Sequence, residues 1–126
     1  MDNKIDMTIF NSMSKVLRSA GQLDVVVSAF ITNADDRLNK IRAAIDQNQK
    51  EELTAVAHAL KGSCALFGAR ICADLCQKIE TLGHSEPSPQ RNRSLHELLS
   101  ALTCELNEIK VFLRKQLDDA PNSCCP

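Results

Sequence analysis

The sequence contains no tryptophan or tyrosine and only four phenylalanines. Proteins that bind single-stranded nucleic acid commonly stack its bases on exposed aromatic rings, and this composition offers no such platform. The formal net charge is −1, so the chain as a whole does not attract the negatively charged phosphates of nucleic acid either. The composition therefore argues against nucleic acid as a partner.

Long hydrophobic runs are also missing. The longest apolar stretch, residues 25–31, is far shorter than the roughly 20 residues that a membrane-spanning helix needs. The first seven residues are polar and charged and lack the apolar core of a secretory signal. At 126 residues, we expect one cytoplasmic domain with a real core and without direct membrane contact.

A nucleotide-binding loop is a third absence. The glycines are scattered singly, at positions Gly21, Gly62, Gly68 and Gly83, and none forms a glycine-rich phosphate cradle. No acidic triad for Mg²⁺ is evident either. The sequence therefore predicts a protein without ATP-binding or autokinase elements, and not an independent enzyme.

The six cysteines form no C-x-x-C pair. Zinc would need a second pair of suitably spaced ligands, and nothing places His84 or His96 near the cysteines. Cys124 and Cys125 lie in a polar tail, where we expect solvent-accessible thiols. The remaining four cysteines fit small buried hydrophobes: Cys64, Cys72, Cys76 and Cys104. We expect no metal, although a Cys/His metal or redox protein is one alternative interpretation.

Apolar residues recur at helical spacing along most of the chain, and no strand-like alternation occurs. Single glycines, the polar segment 46–49 and the proline-containing segment 83–93 interrupt this pattern. The periodicity predicts helices over residues 6–19, 22–47, 50–67, 69–82 and 94–117.

Four long amphipathic helices with short connections favour an all-α fold, an antiparallel up-down four-helix bundle. A short additional N-terminal helix would cover one end. We expect the domain to span residues 1–118, followed by a polar C-terminal tail over residues 119–126.

The most informative segment is Ala57–Ala69, which reads AHALKGSCALFGA. Residues three and four apart are neighbours on a helix, so His58, Lys61 and Gly62 form one compact surface. A glycine inside a helix costs about 1 kcal/mol relative to alanine. Gly62 is explained if the missing side chain lets a large partner approach the imidazole.

The helical phase supports this arrangement. One apolar stripe contains Leu53, Val56, Ala57, Leu60, Cys64 and Phe67. His58 projects away from it, with Lys61 on its flank and four small residues around it: Ala55, Gly62, Ala65 and Ala69. An isolated His-x-x-Lys pair is usually an ordinary pair of exposed residues. The extended H-A-L-K-G-S-x-x-x-x-G-A pattern instead indicates an open landing site for a partner.

This segment resembles the signature of the histidine-containing phosphotransfer (HPt) domain. The acidic start at Asp6, the position of Phe30 and the segment LCQKIETLG at residues 75–83 extend the resemblance over most of the chain. It implies that His58 accepts a phosphoryl group from a receiver-domain aspartate and passes it to another response regulator. The implied partners are response-regulator receiver domains, a hybrid sensor histidine kinase, or both.

Imidazole suits this chemistry, because it is largely neutral and nucleophilic near physiological pH. Lys61 can offset negative charge on the transferring group, although a solvated helix lysine is an equal interpretation. Ser63 is an accessory candidate through hydrogen bonding, but a serine there can also bond its own helix backbone. No cofactor is expected in the chain, since Mg²⁺ would lie in the partner receiver.

The resemblance also implies a polar side chain on the following helix that orients the histidine or contacts its phosphoryl group. Residue offset places Glu80 and His84 near that role, with Gln77 as an alternative. An inward-pointing glutamate would repel phosphate, so Glu80 would instead orient a protonated imidazole nitrogen.

We expect partners to dock on the face formed by Ala55, Gly62, Ala65 and Ala69 around His58. The first helix and part of the helix after Gly68 would extend it. The chain itself is expected to be monomeric. A helical adaptor that binds receivers without transfer is the second alternative, and the presence of His58 argues against it. Both a free-standing relay protein and the C-terminal module of a hybrid kinase fit the sequence.

Overall fold

A computed structural model describes residues 5–118, and within that range it contains helices and no strand. The helices are α1 (Met7–Ser19), α2 (Leu23–Asp46), α3 (Lys50–Leu66), α4 (Arg70–Gly83) and α5 (Pro89–Asp118). The all-helical prediction is therefore confirmed. The predicted polar tail over residues 119–126 lies outside the described residues.

Four helices enclose the core. Each of α2, α3, α4 and α5 packs against its neighbour in sequence, and α5 also packs against α2, while α1 contacts α2 and α3. All five contribute large buried side chains, among them Phe10, Ile41, Leu60, Ile79 and Leu102. These side chains belong to one continuous apolar core. Burying each of them contributes about 1.5–3 kcal/mol to the stability of the fold.

The turn between α3 and α4 anchors α1. Gly68 follows the end of α3 and adopts φ +76°, the conformation for which glycine is favoured just after a helix. Its carbonyl oxygen accepts a hydrogen bond from the backbone N–H of Asp6 at 2.6 Å. The Asp6 carboxylate caps α1 by accepting from the backbone N–H of Thr8 at 3.0 Å. The motif helix and α1 therefore meet at this turn.

The buried face of α1 does not follow from apolar spacing alone. Ile9 and Val16 recur at helical spacing in the sequence, but both are exposed, while Phe10 and Ser14 are buried. The Phe10 ring meets Phe112 of α5 edge-on, with ring centroids 5.1 Å apart. Phe112 lies far along the chain from α1, so a single sequence does not reveal this contact.

The predicted loop over residues 83–93 is too long. Pro89 is the first residue of α5, a position that needs no backbone N–H and suits the fixed φ of proline. The hydroxyl of Ser88 accepts from the backbone N–H of Arg91 at 3.0 Å and caps the helix. Gly83 does not follow α4 but is its last residue, buried against Leu53 and Thr54 of α3.

The first turn of α5 is also tied to the connection after α2. Asn92 donates its amide N–H groups to the Ile45 carbonyl oxygen at 3.3 Å and to Oδ1 of Asn48 at 2.9 Å. Asn48 has φ +55°, a conformation that asparagine tolerates better than most residues. The adjacent Arg91 is buried, and its guanidinium has no hydrogen-bond partner among the described residues. Residues of the segment that was predicted to interrupt the helices thus help to close this end of the bundle.

Three of the four cysteines in helices are buried, as predicted: Cys64, Cys72 and Cys76. Cys104 is exposed, so the prediction of burial is wrong there. It lies about 200° around α5 from the buried Leu102, on the opposite side of the helix. Cys124 and Cys125 lie outside the described residues. Within residues 5–118, no group of three or more His, Cys, Asp or Glu side chains is arranged to hold a metal.

None of the helices described here is both long and apolar enough to cross a membrane.

Candidate functional site

His58 lies in the middle of α3 and points away from the core, as the helical phase predicted. Its side chain is 65% exposed. The opposite side of α3 carries the predicted apolar stripe, of which Leu53, Ala57, Leu60, Cys64 and Phe67 are buried and Val56 is half-buried. Packing therefore fixes the helix and leaves the imidazole accessible.

A carboxylate from α4 holds one nitrogen of that imidazole. Nδ1 of His58 lies 3.2 Å from each carboxylate oxygen of Glu80. An ionised carboxylate only accepts hydrogen bonds, so this contact places the ring proton on Nδ1. In the neutral ring, Nε2 then carries the lone pair, which is the form a nucleophile needs. The residue assigned from resemblance to orient the imidazole is thus in contact with it.

Lys61 and Gln77 extend the network along the α4 side. The Lys61 ammonium donates to Oε1 of Gln77 at 2.6 Å and lies 3.6 Å from Oε1 of Glu80. The Gln77 amide in turn donates to the hydroxyl of Thr81 at 3.0 Å. Lys61 therefore stands beside the imidazole with its charge partly balanced by Glu80.

The charge state of Glu80 follows from opposing effects. Its side chain is only 19% exposed, and burial acts to raise the pKa of the carboxyl. The hydrogen bond with His58 and the charges of His58 and Lys61 outweigh burial, so the pKa of Glu80 is lowered from its usual value. Glu80 is consequently a carboxylate at neutral pH.

Small residues surround the exposed side of the imidazole. Ala55, Gly62 and Ala65 are exposed on α3, and a Cβ added to Gly62 would meet nothing within 4 Å. Ala69 does not belong to this surface, because it is fully buried. The helical phase was extended to Ala69, but α3 ends at Leu66 and the turn at Gly68 redirects the chain.

Three exposed apolar side chains lie on α3 and on α1, the helix that was expected to extend the docking face. Leu66 follows Ala65 on α3 and is 57% exposed. Met7 and Ile9 are exposed on α1, which packs against α3. Apolar spacing alone did not single out these three residues as exposed.

Ser63 faces α2 and not His58. It lies about 140° around α3 from His58, and its hydroxyl accepts from Nη1 of Arg37 at 2.9 Å. The same hydroxyl donates to the carbonyl oxygen of Ala59 at 3.4 Å, which is the backbone bond considered from the sequence. Arg37 comes from a distant part of the chain, and no local signal pointed to it.

His84 occupies the C-cap position of α4 and is exposed. In the described part of the chain, the hydrogen-bonded network around His58 contains Glu80, Lys61, Gln77 and Thr81, and His84 is not among them. Of the α4 candidates, the structure brings Glu80 and Gln77 to the site.

Comparison with known proteins shows the family and the fold. The family model for the Hpt domain matches residues 25–119, so the chain belongs to the Hpt domain family. Its fold is similar to the crystal structure of histidine-containing phosphotransfer protein B (HptB) from Pseudomonas aeruginosa PAO1. That match has a TM-score of 0.78 and 19% identity, and it covers 92% of this chain and 96% of the other. A search of curated proteins finds no significant match.

Membership of this family defines the general activity. Hpt domains are phosphocarriers rather than enzymes, and the chain is a histidine phosphotransfer protein of phosphorelay signalling. The family predicted from the segment around His58 is therefore confirmed.

Proposed function

We propose that His58 carries the phosphoryl group, accepting it on Nε2 from a receiver-domain aspartate and passing it to another response regulator. One observation supports this assignment above all. Glu80 lies 3.2 Å from Nδ1 while the His58 side chain remains 65% exposed, so the neutral ring presents its lone pair on Nε2, the nitrogen that a partner can reach.

The transfer is a displacement at phosphorus. The Nε2 lone pair attacks the phosphorus of the aspartyl phosphate, the P–O bond to the aspartate breaks, and its electron pair stays on the carboxylate. Lys61 stands beside the ring and can exchange its contact with Glu80 for one with the transferring phosphoryl oxygens. Mg²⁺ would come from the receiver, and the chain itself would need no cofactor.

The proposed docking surface consists of Ala55, Gly62, Ala65 and Leu66 on α3 together with the exposed face of α1. It is small-residue and mildly apolar, which suits contact with a helix of the receiver. Because a relay partner must leave after each transfer, we expect an interface at the lower end of the specific range.

The wider proposal concerns the whole protein. The short connections between consecutive helices support an antiparallel up-down arrangement of α2 to α5. The domain would span residues 1–118 with a polar tail over residues 119–126. It would act as a cytoplasmic monomer without autokinase activity, either free-standing or as a module of a hybrid kinase.

Substitution of the histidine tests the proposal. His58→Gln should retain its helical circular dichroism but accept no radiolabelled phosphoryl group from a panel of phosphorylated receiver domains, because His58 is exposed and outside the core. The label on the unsubstituted chain should be acid-labile and alkali-stable, as a phosphoramidate is.

His96→Gln is the matched control. His96 also contacts a carboxylate, Asp46, at 2.8 Å, but it lies on α5 away from the motif. This variant should label normally. Persistent labelling of His58→Gln, or loss of label in His96→Gln alone, would contradict the assignment of His58.

A further inference from the structure

The contact between His58 and Glu80 also has a consequence for the phosphorylated protein. We propose that Glu80 keeps Nδ1 of His58 protonated after Nε2 is phosphorylated. The phosphohistidine is then a phosphoimidazolium, the form that transfers its phosphoryl group readily. This inference rests on the proposed function and concerns how that site is regulated.

The geometry allows the contact to survive phosphorylation. Both carboxylate oxygens of Glu80 lie 3.2 Å from Nδ1, whereas the proposed phosphorylation site is the other ring nitrogen. Glu80 is carried by α4, which packs along α3, and its side chain is 81% shielded from solvent. A group added to Nε2 on the open side of the ring therefore need not displace the carboxylate.

Charge favours retention of the proton. The charged and titratable groups at this side of the imidazole are Glu80 from α4 and Lys61 from α3, and the neighbouring Gln77 and Thr81 are neutral. On the α2 side, Arg37 is engaged by Ser63. If Nδ1 lost its proton, its lone pair would face an ionised carboxylate at hydrogen-bond distance, which is repulsive.

The electron count shows why the proton matters. When the phosphoryl group arrives, the Nε2 lone pair forms the N–P bond and the ring becomes a cation. When it leaves, the N–P electron pair returns to Nε2, the acceptor oxygen bonds phosphorus, and a neutral imidazole remains. Without the Nδ1 proton the leaving group would be an imidazolate anion, which leaves far more slowly. With Glu80 in place, neither direction requires a proton to move.

A glutamine at position 80 would behave differently. Its neutral amide can donate to an unprotonated Nδ1 as well as accept from a protonated one, so it no longer favours the protonated ring of the phosphohistidine. The substitution Glu80→Gln changes little in size, so it separates the charge from the packing. Glu86→Gln is the matched control, because Glu86 is an exposed carboxylate in the connection between α4 and α5.

The experiment uses the full chain, phosphorylated chemically with potassium phosphoramidate. Long-range ¹H–¹⁵N spectra at pH 7.5 should show Nδ1 of phosphorylated His58 as a protonated nitrogen in the unsubstituted chain and in Glu86→Gln. In Glu80→Gln it should be an unprotonated nitrogen. The phosphoryl group, followed by ³¹P NMR at the same pH, should persist about tenfold longer in Glu80→Gln, because loss of the carboxylate leaves less of the ring protonated.

An unprotonated Nδ1 in the phosphorylated, unsubstituted chain would overturn the inference, and that measurement needs no variant. Simple repulsion between Glu80 and the phosphoryl group would also shorten the lifetime of the phosphohistidine in the unsubstituted chain. In that case the ¹⁵N spectra of the unsubstituted chain and of Glu80→Gln would be alike, and this result would also count against the inference. If His58 is not phosphorylated at all, the proposed function fails as well, so the two failures are distinguishable.

Discussion

Gly62 and Gly68 stand six residues apart in the same motif and meet opposite surroundings. A Cβ on Gly62 would meet nothing within 4 Å, and its backbone is ordinary α-helix. A Cβ on Gly68 would lie 2.7 Å from the backbone oxygen of Asp6 and 3.3 Å from Cβ of Ile9. The backbone at Gly68 also has φ +76°, a conformation that residues with a side chain rarely adopt.

The different surroundings of Gly62 and Gly68 indicate two different reasons for a glycine in this motif. At Gly68 the chain itself occupies the space, because the start of α1 packs onto the turn. At Gly62 the space is open in the isolated protein, and the helix is weaker for having a glycine there. We infer that Gly68 serves the fold and that Gly62 serves a partner.

The largest effect on stability is expected for Gly68→Ala. Strain from the positive φ and the contact with the Asp6 oxygen should together lower the free energy of unfolding by about 2–4 kcal/mol. Urea denaturation followed by circular dichroism measures this as a lower midpoint at an unchanged slope.

Gly21→Ala is the matched control for Gly68→Ala. Gly21 also has a positive φ, +69°, but a Cβ there would meet nothing within 4 Å. It should lose only the strain contribution, about 1–2 kcal/mol. Equal losses at Gly21 and Gly68 would show that the approach of α1 does not matter.

The second effect is on function. Gly62→Gln should slow phosphoryl transfer from a receiver domain by about tenfold or more, because the new side chain stands one turn from His58 on the proposed docking surface. Stability should not fall, and it should rise by up to about 1 kcal/mol, since glycine is a poor helix former. Quenched time courses of phosphoryl transfer measure the rate, and urea denaturation of the same preparation measures the free energy of unfolding.

Gly62→Ala serves as the control, because it removes the helix penalty while adding one methyl group. It should gain the same stability with little loss of transfer rate. If Gly62→Gln transferred at the unsubstituted rate, the open space at Gly62 would have no role in partner approach.

The glycines also show how far sequence reasoning reaches. The helices, the buried stripe of α3 and the outward direction of His58 follow from local periodicity, which the chain carries residue by residue. Ala69 was misplaced because periodicity was continued past a turn. The sequence places Pro89 outside a helix, because proline breaks a helix interior. The structure places it at the first position of α5, where proline is favoured.

The candidate site divides along the same line. His58, Lys61 and Gly62 lie within one helical turn or so of each other, and their spacing alone brought them together. Glu80 and Gln77 belong to the next helix, and only resemblance to a family pointed to them. Arg37, which bonds Ser63 across α2 and α3, depends on the relative rotation of two packed helices, and no pattern in one sequence encodes that rotation.

The smallest effect is expected at Gly83, which combines features of the other two glycines. Like Gly62 it is helical, so alanine should gain up to about 1 kcal/mol of helix propensity. Like Gly68 it is crowded, since a Cβ would lie 3.1 Å from Cδ2 of Leu53 and from Cγ2 of Thr54. Those atoms end side chains that can shift by a few tenths of an ångström, unlike the backbone oxygen met at Gly68.

Gain and loss at Gly83 should therefore nearly cancel, and Gly83→Ala should lower the free energy of unfolding by less than about 1 kcal/mol. Urea denaturation gives the difference, and methyl NMR of Leu53 reports whether its side chain has moved. A loss as large as that of Gly68→Ala would mean that α3 and α4 cannot adjust at this contact. The loss of unfolding free energy on substitution by alanine would then depend only on how close the neighbouring atoms are, and not on whether they belong to the backbone or to a side chain.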